Sequence, residues 1–134
     1  VLASRDPDGA NLDRIQIVKG WLDEAGASHE RVFNVALSDG RTDDDYGRAP
    51  TVGSTVNLKK ATYTNAIGAP ELRALWRDPQ FDPRQRAFYY VRVLEIPTPA
   101  WQAYDVVRFG DSFPESVAME IQDRAYTSPI WYAP

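Results

Sequence analysis

Ala87-Phe88-Tyr89-Tyr90-Val91-Arg92-Val93-Leu94-Glu95-Ile96 is the stretch on which the reading of this chain turns. Its side chains alternate. Ala87, Tyr89, Val91 and Val93 fall on one face, and Phe88, Tyr90, Leu94 and Ile96 fall on the other, interrupted by Arg92. A period of two belongs to an extended strand, because successive side chains of a strand point to opposite sides. Apolar groups on both faces predict a central strand covered from two sides.

On its N-terminal side the same period recurs. Arg14–Trp21 sets Ile15, Ile17 and Lys19 against Gln16, Val18 and Gly20, and Glu30–Leu37 sets Val32, Asn34 and Ala36 against Arg31, Phe33, Val35 and Leu37. The small and polar run Asp23–Ser28 between them has hairpin chemistry, so these two strands are expected to pair. Ser38–Gly47, closed by Pro50, reads as an exposed loop. Alternation resumes in Ser54–Tyr63 through Val56, Leu58 and Ala61, and in Glu71–Arg77 through Leu72, Ala74 and Trp76. Pro79 and Pro83 mark a turn.

On its C-terminal side the last strand is expected at Tyr126–Tyr132, with Pro129 placing it at an edge or a bulge. Before it lies Pro97–Ala125, with three prolines, the rings of Trp101, Tyr104, Phe109 and Phe113, and one helical stretch expected at Glu115–Ala125. That is longer than a hairpin loop. Its rings must fold over the sheets or dock on something else. About seven short strands punctuated by turns predict an all-β fold, a β-sandwich forming a single domain over residues 1–134, with this long, partly irregular or helical insertion before the last strand. Asp82–Val91 resembles the start of the sixth strand in immunoglobulin-like sandwiches, where a tyrosine hydroxyl bonds back to the preceding corner; Tyr89 is the candidate.

Composition narrows the function classes. Four Trp, seven Tyr and five Phe supply a core without disulfides, and the absence of Cys excludes thiol catalysis, thiolate zinc sites and iron–sulfur clusters. Fifteen basic residues are dispersed among 19 acidic ones, for a net charge of −4. A nucleic-acid partner requires clustered cations to displace phosphate counterions, and the one adjacent lysine pair is Lys59-Lys60. No nucleic-acid partner is therefore expected. No apolar run reaches the ~20 residues of a transmembrane segment. The start Val1-Leu2-Ala3-Ser4-Arg5-Asp6 lacks the pattern of a signal peptide and an initiator Met, which points to a piece of a longer protein and leaves the compartment open.

Candidate chemical groups are few. His29 is the single histidine, and a zinc or iron site generally draws on several His or Cys ligands. Asp43-Asp44-Asp45 is a carboxylate run without the spacing of a calcium loop, and consecutive like charges favour a solvated segment. Asp78-Pro79 and Asp82-Pro83 have turn-initiating chemistry rather than that of an acid–base pair. No phosphate-cradling glycine motif occurs. The expectation is a chain with no catalytic, cofactor-binding or metal-ligating residue. Trp101, Tyr104, Phe109, Phe113, Trp131 and Tyr132 form the candidate interaction surface, for a protein neighbour or for sugar rings.

Three stretches, Arg5–Trp21 (beginning Arg5-Asp6-Pro7-Asp8-Gly9), Ala87–Val93 and Ala125–Trp131, resemble in order the C-terminal part of bacterial proteins grouped as "domain of unknown function 3604". The resemblance implies a long parent whose N-terminal part is similar to the polymerase-and-histidinol-phosphatase class of metal-dependent phosphoesterases. The metal motifs of that part have no counterpart here. The resemblance further implies that this chain is a C-terminal accessory domain without an enzymatic site, partnered by the N-terminal catalytic domain of its own parent; an exported or periplasmic parent is the expectation for location. The alternative is an independent carbohydrate- or cell-envelope-binding module. Pro97–Ala125 departs from the short turn that joins the last two strands in related terminal β domains.

Overall fold

The computed structural model describes residues 1–134. In chain order its elements are β1 (Leu2–Ser4), β2 (Leu12–Leu22), β3 (Ser28–Leu37), β4 (Glu71–Arg73), β5 (Ala87–Glu95), β6 (Thr98–Pro99), α1 (Trp101–Phe109), β7 (Glu120–Ile121), β8 (Arg124–Tyr126) and β9 (Ile130–Tyr132). All pairings are antiparallel, and a single nine-residue helix interrupts an otherwise all-β chain. The principal sheet runs β3-β2-β5-β8, with β9 also on β5. β5 is its central strand by position, but it is not covered from two sides as expected: β1 and β4 lie over one face, and Phe88 and Tyr90 on the other remain half-buried.

The sandwich is unequal. β1 and β4 form a thin second layer, and Leu72 of β4 packs with Leu12 and Ile15 of β2 beside Ala3, Val91 and Val93. Beyond Arg73 the chain continues over the same face. Trp76 packs on Phe33 and Tyr89 at centroid distances of 5.0 and 6.3 Å, and Phe81 packs on Tyr132 at 4.9 Å. The alternation read in Glu71–Arg77 is real, since Leu72, Ala74 and Trp76 turn inward. Ladder pairing nonetheless stops at Arg73. On the opposite face of the sheet, Arg92, Gln16 and Asn34 stand side by side in register. They join in a ladder from Arg92 Nε to Gln16 Oε1 (2.8 Å), from Gln16 Nε2 to Asn34 Oδ1 (2.7 Å), and from Asn34 Nδ2 to Asp43 (3.0 Å). This ladder satisfies buried polar groups that would otherwise carry a desolvation cost.

Three expectations need correction. Ser54–Tyr63 is no strand. Asn57 and Thr62 exchange backbone hydrogen bonds of 2.7 and 3.2 Å around a turn in which Ala61 takes a positive φ of 48°. Ser54 reaches β7 only through its side chain, whose Oγ donates to Glu120 Oε2 at 2.7 Å, so alternation alone does not make a ladder.

The helix lies at Trp101–Phe109, not Glu115–Ala125. Pro99 precedes it and Gly110, left-handed at φ 73°, closes it with an N–H bond to the Val106 carbonyl, the usual proline-before, glycine-after asymmetry. The Glu115–Ala125 stretch is instead drawn into pairing, with β7 on β6 and β8 on β5.

Tyr126–Tyr132 is two strands. β8 pairs with Arg92–Leu94 and β9 with Ala87–Tyr89, and the three residues Thr127–Pro129 oppose two residues of β5. Thr127 bridges this bulge, its amide donating to the Val91 carbonyl and its Oγ1 accepting from the Val91 amide, each at 3.0 Å. Pro129, with no N–H to offer, sits where the ladder is broken, as expected.

Gly68 fixes the return of the long connection to β2. It adopts φ +76°, and a Cβ there would lie 2.6 Å from Ile96 Cγ2 and 2.9 Å from the Leu12 carbonyl oxygen. Backbone cannot retreat as a side-chain end can. Gly68→Ala is therefore expected to destabilise the chain by about 2–4 kcal/mol, from left-handed strain and overpacking together. Equilibrium urea denaturation measures it, and a midpoint within error of the parent would refute the tight approach.

Candidate functional site

Apart from Gln102 Oε1, which has no partner, the side-chain polar atoms buried by this fold are hydrogen-bonded. Lys19, which the alternation sets in line with Ile15 and Ile17, is 2% exposed. Its ammonium donates to Asp78 Oδ2 at 2.6 Å and to the Gln80 carbonyl at 2.8 Å, and lies 5.2 Å from the centre of the Trp21 ring. Tyr89 does bond back to the preceding corner, but to a carboxylate. Its hydroxyl donates to Asp78 Oδ2 at 2.8 Å. Burial raises the Tyr89 phenol above its ordinary range, and the Asp78 carboxylate reinforces the rise. For Asp78, burial pushes upward, but the hydrogen bonds from Lys19, the Gln80 amide and Tyr89, with the lysine charge, outweigh it and hold the carboxyl low. The Asp-Pro turn chemistry is also present, since Asp78 Oδ1 accepts the Gln80 amide and Asp82 Oδ1 that of Arg84.

A second buried carboxylate, Asp13, sits at a bulge where Leu12 and Arg14 pair with the consecutive residues Glu95 and Leu94. The irregularity turns its side chain inward. Arg41 Nη2 donates to Asp13 Oδ1 (2.6 Å), Arg14 Nε to Oδ2 (2.9 Å) and Gln122 Nε2 to Oδ2 (3.0 Å). One carboxylate thus joins the Ser38–Pro50 loop, β2 and the insertion. Neither Lys19, Asp78 nor Asp13 was legible as a centre from local spacing, because their partners lie far along the chain.

His29 stacks on Trp21 with centroids 5.3 Å apart and planes 18° off parallel, and its Nε2 lies 2.8 Å from Asp23 Oδ2. That hydrogen bond, with amide donors from Ala27 and Ala25, lowers the Asp23 carboxyl. Asp44 caps its own turn through the amides of Tyr46 and Arg48, and Asp43 receives Asn34. No three His, Cys, Asp or Glu side chains are grouped as a metal site would need.

The six candidate aromatic residues separate into two sets. In the insertion, Trp101 packs edge-on to Phe113 at 5.8 Å, and Tyr104 lies under the Arg108 guanidinium at 5.9 Å. Trp101 and Phe109 remain 63% and 72% exposed, because α1 buries only the small side chain of Ala103. At the other end of the sheet Tyr132 is tied down, its hydroxyl donating to the Pro83 carbonyl at 2.9 Å. Trp131 is 74% exposed and packs at 5.2 Å on Phe88.

Around Trp131 lies a cleft of about 790 Å³ lined by residues including Gly20, Leu22, Glu30, Arg86 and Phe88. Gly20 makes it possible. The Phe88 ring lies across Gly20 so closely that a Cβ would come within 2.3 Å of it. From Phe88 the rings continue to Tyr90, stacked at 6.4 Å, and on to Tyr126 at 6.2 Å. Phe88, Glu30 and Arg86 went unnoticed as site residues because only strand register places them around one glycine.

An all-β domain with one covered face, one ring-bearing face and an apolar helix on an insertion is the class of protein defined here. The family described as "Protein of unknown function (DUF3604)" matches residues 1–134, and the chain belongs to that family. No curated protein and no solved structure matches it. No helix is long and apolar enough to cross a membrane.

Proposed function

We propose that this chain is a non-catalytic accessory domain that packs, through its insertion, on the catalytic domain of a larger protein. One observation carries the reading. A compact monomer of 15.1 kDa exposes about 7,100 Å², whereas this chain exposes 9011 Å². The excess is the size of one side of an obligate interface. Among the large apolar side chains left exposed are Trp101, Val107 and Phe109, all on α1.

The partner is the N-terminal domain of the same parent, read from the family resemblance as a metal-dependent, phosphoesterase-like hydrolase. On this reading the metal and the reacting groups belong to that domain, and this chain contributes surface beside its substrate path. Amide hydrogen exchange tests the docking. The peptide spanning residues 101–113 is expected to exchange at least about tenfold more slowly in the full-length parent than in this chain alone. Equal rates in the two would sink the proposal.

A further inference from the structure

The cleft around Trp131 lies at the Trp21–Ala87 end of the sheet, about 25 Å along β5 from the insertion by strand rise, so it is free for a role that docking does not use. Its floor and one wall are apolar: the outer end of the Phe88 ring over Gly20, and Trp131 tilted 49° to Phe88 so that the two rings form a corner. Its rims are charged. Glu30 pairs across β2 with Gly20 on one side, and Arg86 immediately precedes β5 on the other. The two are separated by two strand spacings and two residues along β5, about 12 Å. Neither side chain takes part in an ion pair within the chain.

These features select a ligand. A simple anion or cation would meet its own sign on one rim, so the pair of opposite charges favours a neutral molecule. That molecule must offer an apolar face to the Phe88–Trp131 corner and groups around its edge that both donate to a carboxylate and accept from a guanidinium. Hydroxyls do both. A hexose ring presents C–H faces and an equator of hydroxyls, and the cleft volume is within the range of small-ligand sites. We propose that this cleft binds a neutral hexose unit, seated on Phe88 and Trp131 and held at its edge by Glu30 and Arg86.

The test is calorimetric titration of the 134-residue chain with neutral gluco-, manno- and chito-oligosaccharides, and with polygalacturonate as the charged comparison. At least one neutral sugar is expected to bind with a millimolar or lower Kd. Trp131→Ala should weaken it about tenfold or more, as should Glu30→Gln, while Trp101→Ala leaves it unchanged. Trp131 is mostly exposed, so its replacement should leave the fold intact, with the circular dichroism spectrum as the check. The proposal fails if no neutral sugar binds at millimolar concentration. It fails equally if Trp131→Ala keeps full affinity, or if polygalacturonate binds more tightly than every neutral sugar. None of these results bears on the docking of α1, which is read by exchange at residues 101–113.

Discussion

Replacing Asp78 with alanine is expected to cost about 3–5 kcal/mol, because it strands the Lys19 ammonium inside the sandwich without its counter-ion. Lys19 and Asp78 are each nearly inaccessible, with side-chain exposures of 2% and 5%. The attraction between them does little more than offset the loss of their water, so most of the penalty is the unpaired charge that remains. The double replacement Lys19→Met, Asp78→Leu should for that reason recover most of the lost stability, although two charges have gone. Urea denaturation of the single and double variants decides it. If the double variant is as unstable as the single one, the pair matters for its geometry and not for its charge balance.

The same cluster sets a pH window. Asp78 titrates lower in the fold than its ordinary 3.8, so its contribution is complete above that value and is lost as the pH falls through the lower folded value. Tyr89 titrates higher than its ordinary 10.0, so its contribution is complete below pH 10.0 and is lost as the pH rises beyond it. Stability should therefore fall off on both sides of a broad plateau. Tyr89→Phe is expected to shrink the alkaline limb, leaving the part that belongs to Tyr63, whose phenol burial also raises, and to cost about 1–2 kcal/mol at neutral pH, since Asp78 loses a donor in a place water does not reach. An alkaline limb unchanged in that variant would assign it elsewhere.

Asp13→Ala is the second large effect expected, about 3–5 kcal/mol, with a consequence that differs in kind. The carboxylate is fully buried and receives Arg14, Arg41 and Gln122 from three separate parts of the chain. Its loss leaves two guanidinium groups competing for carbonyls and releases the Ser38–Pro50 loop and the Glu120–Asp123 crossing from β2. Hydrogen exchange should consequently accelerate in both segments at once, along with a lowered thermal midpoint. Acceleration in only one of them would mean that Asp13 serves a single neighbour. Arg41→Lys keeps the charge but cannot span Asp13, Ser38 and Pro50 with one fork, and should cost about 1–2 kcal/mol.

Local order alone determined a good part of this protein. The alternation in Arg14–Trp21, Glu30–Leu37 and Ala87–Ile96 specifies three strands and their hairpin neighbour, because burying one face of a strand constrains every second side chain. Pro129 marks its bulge because a missing N–H is a local fact. The aromatic residues on the insertion and at the C-terminus were visible as candidates, but whether Trp101 and Trp131 share a surface was not.

Tertiary structure decided what depends on available neighbours. Ser54–Tyr63 alternates yet closes on itself in a turn through Asn57 and Thr62, and Glu115–Ala125 gives up a helix for pairing with β5 and β6. It also made Lys19 a buried charge in a row of apolar side chains, since Asp78 reaches it from 59 residues away. The cleft belongs to the same category. Glu30, Gly20, Phe88 and Trp131 lie on four different strands, and only the register of the finished sheet sets them in one line. A strand's own period is a property of its backbone, whereas a site is a property of contacts between segments whose meeting no local pattern encodes.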